Sequence, residues 1–259
     1  MSATPADTLV LKLVLTPMLI AGASLAGRRW GQSVGGWLVG LPLTSGPVAF
    51  FLAIEHGAGF AAAVAVGSLA GAIAEAAFCL AYGWLTARGW VAALAAASVV
   101  FAIVALGLQR LAWSPPILAA SVFVILVIAL GLLPRRASGA APPSPPRWDL
   151  PARMLITTAL VVGLTALAPT LGPRLSGLLA TFPVYAAILT AFAHRAGPAP
   201  AVQVLRGLLL GLFSFGAFFL VLGGSIERLG IAAGFGVATA AALAVQMGSL
   251  VFVVRPRAA

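Results

Sequence analysis

The residues best suited to chemistry in this chain are hydroxyl side chains that lie beside prolines within an apolar segment. The segment contains Pro42, Thr44, Ser45, Gly46 and Pro47. Proline removes a backbone donor and interrupts a regular helix, and glycine permits close approach of other groups. A half-helix that begins near Pro47 would point its first amides at a cavity, an arrangement typical of anion sites. We therefore predict a substrate site at this break.

A second apolar segment is interrupted in a corresponding way and contains Thr181, Pro183 and Tyr185. An offset of 141 positions aligns residues 30–52 with residues 171–193, and five of the 23 aligned pairs are identical. The identical pairs are Gly31 and Gly172, Gly36 and Gly177, Leu38 and Leu179, Pro42 and Pro183, and Phe51 and Phe192. We predict that the two breaks form one site between them. The alternative is two unrelated kinked helices whose hydroxyl groups bond to their own backbone.

Glu75 lies about fifteen residues into another apolar run, close to the predicted middle of the membrane. An ionisable side chain at that depth is costly and is by default a functional hypothesis. Because no basic residue is placed at its depth, proton binding is favoured over a salt bridge. We predict that Glu75 carries a coupling proton or contacts the substrate. The alternative is a protonated, hydrogen-bonded packing residue. Its equivalent in the second half of the chain falls near Phe215 or Gly216, so the acid is not duplicated.

Five further polar residues are candidates for gating or secondary contacts. They are Glu55, His56, His194, Arg206 and Gln246. Glu55 and His56 close the first broken segment, and His194 and Arg195 close the second. Each pair could attract or gate a substrate, although such residues are more often interfacial. Arg206 could meet an anion at one mouth of a pathway or extend to lipid headgroups. Gln246 could line the cavity or form a hydrogen bond between helices.

The composition predicts an all-α integral membrane protein, because 62% of the residues are hydrophobic and only 8% are charged. Soluble domains carry about 45–50% apolar and 25% charged residues, and membrane barrels alternate apolar with polar residues. A membrane helix needs about 20 apolar residues. The apolar runs predict nine spans, at residues 9–27, 34–54, 60–87, 90–108, 115–133, 152–170, 174–194, 201–224 and 229–254.

The spans divide into two halves joined by a proline-rich cytoplasmic linker. Residues 1–133 hold five spans, residues 134–151 form the linker, and residues 152–259 hold four spans. The second span aligns with the seventh, so the two copies would run in opposite directions, as in the inverted repeats of secondary transporters. Small-residue faces at Gly67 and Gly71, and at Gly207 and Gly211, predict tight packing of the third and eighth spans.

Positive charge predicts the orientation. Of the 15 lysines and arginines, eleven fall in loops on one side and four on the other. The prediction is a bacterial inner-membrane protein with the N-terminus outside and the C-terminus in the cytoplasm. The net charge of +10 lies almost entirely in short loops, which favours headgroup contact over nucleic-acid binding. Cys79 is the only cysteine, so no intrachain disulfide or cysteine-based metal site can form, and we predict no cofactor.

The stretch from Leu41 to Ala49, with Glu55, Gly57 and Gly59 after it, resembles the signature of the LrgB/CidB family. That family has a Leu-Pro-Lys-Ser-Val-Thr-Thr-Pro-Ile-Ala segment followed by an acidic residue and glycines, and it includes a plant plastidic glycolate/glycerate transporter. This chain has Leu43 in place of the family's lysine and is one residue shorter between the prolines. The resemblance implies a carrier of small organic acids with Thr44 and Ser45 near the substrate.

The same segment is also similar to the Leu-Pro-Ile-Ser-Ser-Ser-Gly-His motif of undecaprenyl pyrophosphate phosphatases. Here Pro47 stands at the histidine position, and we find no paired intramembrane glutamates and no arginine-rich second motif. A phosphatase needs such groups to hold phosphate and to stabilise its developing charge.

We therefore predict a secondary transporter of a small solute, with a small organic anion as one candidate, coupled to protons and working by alternating access. Its expected partners are the lipid bilayer, the solute and the proton, and a homodimer is an open possibility. The alternatives are a membrane enzyme acting on a lipid-linked substrate and a non-catalytic membrane subunit.

Overall fold

The structure is a computed structural model that describes residues 9–10, 12–14, 16–18, 21, 25, 29, 37–110, 114–135 and 148–254. The side chains of residues 149, 153, 157, 185 and 250–254 lie outside this description. Nine of the 19 residues of the predicted first span and most of the predicted linker also fall outside it, as do Gly31 and Gly36 of the aligned pairs.

The described part of the chain is helical and contains no strand, which confirms the predicted all-α class there. The helices are α1 (Ser45–His56), α2 (Ala58–Leu85), α3 (Trp90–Gln109), α4 (Pro115–Leu132), α5 (Asp149–Leu171), α6 (Pro173–Ala180), α7 (Val184–His194) and α8 (Pro198–Val254). A 3₁₀ turn at Thr86–Arg88 follows α2, and residues 37–39 are also helical.

Five stretches within the described ranges are long and apolar enough to cross a membrane. They are Ala58–Arg88, Trp90–Gln109, Pro115–Leu132, Leu150–Leu171 and Pro198–Ser249. Large apolar side chains such as Val99, Ile103, Val124 and Val127 are exposed on α3 and α4, where lipid would cover them. The chain is therefore a membrane-embedded helical protein.

The bundle is built around α2 and α8, which pack extensively against each other. In the most apolar stretch of α2, 78% is buried inside the protein, compared with 22% in α3. Helix α2 is therefore central and α3 is peripheral. The predicted second and seventh spans are each divided in two: residues 37–39 and α1 form the first, and α6 and α7 form the second.

Glycines let the backbone of each broken segment approach a central helix. On α2, Gly67 meets the backbone of Arg174. Gly211 of α8 meets Gly40 of the first break: a Cβ built on Gly40 would lie 2.5 Å from the Cα atom of Gly211. The sequence predicted tight packing of the third and eighth spans at these small-residue faces, and the close contacts at Gly67 and Gly211 are made with the broken segments. The physical reason is that an irregular backbone can approach a helix closely only where both lack bulky side chains.

Helix α8 is long because it joins the predicted eighth and ninth spans across one non-helical residue, Gly230, with φ 77° and ψ 175°. Gly89 has nearly the same conformation, φ 87° and ψ 158°, between the third and fourth spans. Such positive φ values favour glycine. The two residues are 141 positions apart, which is the offset that aligns the broken segments.

Candidate functional site

The first break is a short non-helical stretch, residues 40–44, held by three backbone hydrogen bonds. The donors and acceptors are Leu41 N to Leu38 O at 3.1 Å, Leu43 N to Leu41 O at 2.7 Å, and Gly46 N to Pro42 O at 2.8 Å. The bond from Leu43 N to Leu41 O encloses Pro42 in a three-residue turn. Helix α1 then begins at Ser45, two residues before the start near Pro47 that the sequence predicted.

The second break has the same three hydrogen bonds. They run from Phe182 N to Leu179 O at 3.1 Å, from Val184 N to Phe182 O at 2.8 Å, and from Ala187 N to Pro183 O at 2.8 Å. Each donor and each acceptor is displaced by 141 positions from its counterpart in the first break. Pro183 has φ −79° and ψ 59°, which is the geometry of an inverse γ-turn.

The two breaks face each other across a small cavity of about 30 Å³. Its polar lining comes from Thr44 and Ser45 of the first break, Thr181 of the second break, and Glu75 of α2. Pro183 also lines the cavity, and the apolar walls include Leu212, Phe182 and Phe215. The volume corresponds to about two water molecules. The structure thus brings five of the sequence-predicted substrate and proton-coupling residues to one place.

Glu75 is the only ionisable side chain among the residues that line this cavity in the described part of the chain. It is 6% exposed. No described side chain or backbone group forms a hydrogen bond or an ion pair with its carboxyl group. A buried carboxyl group without a partner is costly, so its position calls for a ligand or a proton.

Both half-helices begin at the cavity without a side-chain cap. The residues preceding them, Thr44 for α1 and Pro183 for α7, make no capping hydrogen bond. Among the described residues, the backbone N–H groups of Thr44, Ser45 and Ala186 have no acceptor. Helix N-termini carry about half a positive charge each, and a buried end without partners is unusual in a folded protein.

A direct hydrogen bond ties the two breaks together beside the cavity. The Ser45 hydroxyl donates to the carbonyl oxygen of Ala180 at 2.9 Å, and both residues are buried. The Thr181 hydroxyl donates to the carbonyl oxygen of Leu178 at 2.6 Å, and its side chain packs against Gly71 of α2. The Ser45 bond therefore joins the first residue of α1 to the start of the second break.

Three other predicted substrate residues lie beside the cavity and are not among the residues that line it. Pro42 forms the turn of the first break, and a Cβ on Gly46 would lie 3.7 Å from its side chain. Pro47 is buried in the first turn of α1. Tyr185 is the second residue of α7, and its side chain falls outside the described part of the chain.

The candidate gating residues lie away from the cavity, at the ends of the bundle. Glu55 pairs with Lys12 at 2.5 Å, and the His56 ring lies 4.8 Å from that of Phe60. The Tyr82 hydroxyl and the His194 Nδ1 atom are 3.2 Å apart.

The other two candidates are also outside the cavity lining. Gln246 donates through Nε2 to the Trp37 carbonyl oxygen at 3.0 Å. Of the two predicted roles of Gln246, it therefore has the hydrogen bond to another segment. Arg206 lies in the first part of α8.

A larger groove of about 390 Å³ lies between the first half of α2 and the junction of α5 with α6. Its lining includes Gly67, Leu108, Arg174 and Leu178. Displacing Leu178 and Leu108 by 141 positions gives Trp37 and Ser249. There, the Trp37 Nε1 atom donates to the Ser249 Oγ atom at 2.7 Å in a packed contact. Leu108 and Leu178 thus line an open groove, whereas Trp37 and Ser249, at the aligned positions, are buried and bonded to each other.

Sequence reasoning missed several residues that shape these regions. Phe182 stands next to Pro183 and could have been found from that position, and Phe215 directly precedes Gly216, the position that the offset aligns with Glu75. The pairs of Lys12 with Glu55 and of Trp37 with Ser249 join residues far apart in sequence, for which no local pattern exists.

The described residues contain no group of three or more His, Cys, Asp or Glu side chains that could hold a metal ion. Comparison of the chain with protein-family models, with curated proteins and with solved structures finds no match. The geometry of the cavity therefore stands as the basis for a functional assignment.

Proposed function

We propose that this protein is a secondary transporter of a small solute that works by alternating access and is coupled to protons through Glu75. The observation that carries the proposal is the cavity at which two broken helices and one buried carboxyl group converge. Irregular backbone at membrane depth is tolerated only inside protein or beside a cavity. Discontinuous helices that meet at one site are the usual way in which secondary transporters bind their substrates.

The proposal includes nine spans arranged as two inverted repeats. Its main support is the identical set of three hydrogen bonds in the two breaks at an offset of 141 positions. The matching conformations of Gly89 and Gly230 support the same register. An odd displacement of five spans reverses the direction of the second copy. Inverted repeats supply two equivalent pathways, one toward each side of the membrane.

Alternating access is supported by a difference between two aligned pairs of residues. Leu108 and Leu178 line an open groove, whereas Trp37 and Ser249 are bonded to each other and buried. In a symmetric pair of pathways, one open and one closed place correspond to one end state of the cycle. Exchange of the two conformations would close the first place and open the second, with the cavity between them.

The proposed setting is the bacterial inner membrane, with the N-terminus outside and the C-terminus in the cytoplasm. Contacts between distant residues join positions that the charge pattern puts on the same side. Lys12 meets Glu55 on the predicted outer side. On the predicted inner side, Tyr82 meets His194. With this orientation, the open groove faces outward.

The test is solute flux in proteoliposomes under an imposed pH gradient, with protein-free liposomes as the control. The panel contains small organic acids, because of the resemblance at Leu41–Ala49, together with small inorganic anions and amino acids. We expect saturable uptake of one class, accelerated by the gradient. Absence of flux for every compound, with correctly inserted protein, would contradict the proposal and favour the enzyme or subunit alternatives.

A further inference from the structure

We propose that the ligand of the cavity is a small monovalent anion that competes with the Glu75 carboxylate for the two half-helix N-termini, so that anion and proton bind together. This inference rests on the proposed function, because it names the substrate class and the coupling mechanism of the same site.

The binding groups are backbone amides. Helices α1 and α7 have 12 and 11 residues, and both start at the cavity without a cap. The N–H groups of Thr44, Ser45 and Ala186 have no acceptor among the described residues, and all three residues line the cavity. Amides at helix N-termini, together with the helix dipole, form a ready site for an anion.

The charge balance allows one negative charge at a time. Each N-terminus contributes roughly half a positive charge, so the two together compensate about one negative charge. Apolar walls such as Leu41, Phe182 and Phe215 lower the local dielectric constant, which strengthens electrostatic interactions at the cavity. An ionised Glu75 and a bound anion in the same cavity would leave one charge uncompensated. Binding of the anion therefore requires that Glu75 takes up one proton and becomes neutral.

The size of the cavity restricts the anion. About 30 Å³ accommodates about two water molecules. This space suits an anion of one to four heavy atoms, such as a halide, nitrate or formate. A dicarboxylate would exceed both the volume and the available positive charge. These candidate anions, inorganic ions and a one-carbon carboxylate alike, all carry one negative charge on a compact group.

The other ionisable groups of the described chain lie outside the cavity lining. Those toward the predicted outer side are Lys12, Glu55 and Arg174, of which the first two pair with each other. Those toward the predicted inner side are Tyr82, His194 and Arg206. Cys79, one helical turn from Glu75, is buried. Among the described residues, none of these groups lines the cavity, so the pH dependence of anion binding is assigned to Glu75.

The test is equilibrium binding of radiolabelled chloride and formate, with nitrate as a competitor, to purified protein in detergent between pH 5 and 9. All three anions stay ionised over this range. For the wild type we expect one site whose Kd rises as the pH rises, approaching tenfold per pH unit at the alkaline end. Glu75→Gln, which is neutral at every pH, should keep the site and change its Kd less than twofold over the range.

A second variant tests the location of the site. Ala186→Asp places a fixed carboxylate in the first turn of α7 and should weaken binding at least 50-fold at every pH where this side chain is ionised. Ala58→Asp, the same substitution in the first turn of α2, away from the cavity, should leave the Kd within twofold.

Three results would overturn the inference: no binding of any of the three anions, a pH-independent Kd in the wild type, or loss of binding in folded Glu75→Gln. The assay needs no flux, so its outcome is separate from that of the transport test. Anion binding without transport would refute the proposed transport function but not the proposed anion site. Transport without anion binding would refute the anion site but not the transport function.

Discussion

Glu75 and Ser45 are the two side chains on which the proposed site depends most. Glu75 is buried without a partner, which stabilises nothing in the fold and indicates a role in binding a proton or a ligand. Ser45 has the opposite character, because its hydroxyl is satisfied by the Ala180 carbonyl oxygen on the other break. One residue therefore supplies chemistry, and the other holds the two half-helices in place.

Replacing Ser45 with alanine should destabilise the protein, because the buried Ala180 carbonyl would lose its partner. An unsatisfied buried acceptor costs about 1–3 kcal/mol, which for a chain of this size lowers Tm by a few degrees, about 2–4 °C per kcal/mol. The measurement is thermal unfolding in detergent. Ser225→Ala is the matched control, since its hydroxyl bonds to Val221 within its own helix. Equal Tm values for the two variants would contradict the bridging role.

At the scale of elements, the prolines and glycines have separate tasks. Pro42 and Pro183 interrupt the helices, and the identical hydrogen bonds around them give both breaks the same turn. The glycines let these irregular segments lie directly on α2 and α8. A break without such contacts would leave backbone groups facing lipid, where they cannot be satisfied.

Adding one methyl group at the contact between the first break and α8 should therefore be damaging. In Gly40→Ala the new Cβ would lie 2.5 Å from the Gly211 Cα, and backbone cannot move aside as a flexible side chain can. Overpacking of this kind costs about 1–3 kcal/mol, and we also expect reduced transport. Gly107→Ala is the control, because no atom lies within 4 Å of its Cβ position and alanine favours a helix. Thermal unfolding and flux of both variants provide the measurement.

Many of the helices and both helix breaks could be predicted from the sequence. Long apolar runs indicated the helices that span the membrane, and Pro42 and Pro183 indicated where two of them break. The start of α1 at Ser45 was not predicted, because Pro47 is tolerated inside the first turn of a helix, where its missing N–H is not needed. The partners of the glycine faces could not be predicted either, since a small-residue pattern does not specify which helix lies against it.

At the scale of the whole molecule, residues 141 positions apart differ in their surroundings. Leu108 lines an open groove, whereas Ser249 is buried and accepts a hydrogen bond from Trp37. Sequence alignment gave the correspondence of these positions but not their state, because the state depends on contacts between residues about 200 positions apart. Long-range hydrogen bonds of this kind leave no periodic pattern in the sequence.

Thiol labelling should detect this difference. In a Cys79→Ala background, Leu108→Cys should react quickly with a membrane-impermeant maleimide added to intact cells, because it lines the open groove on the predicted outer side. Ser249→Cys, its counterpart, should react at least tenfold more slowly in inverted membrane vesicles, because Trp37 covers it. Equal labelling of the two cysteines from their respective sides would contradict the proposed end state.

The most direct test of the central claim separates coupling from transport. Wild type and Glu75→Gln are reconstituted in proteoliposomes, and each is assayed for net uptake driven by a pH gradient and for exchange of labelled against unlabelled solute without a gradient. We expect Glu75→Gln to keep exchange within a few-fold of the wild type and to lose gradient-driven accumulation. Accumulation by Glu75→Gln with the wild-type dependence on the pH gradient would show that Glu75 does not couple transport to protons.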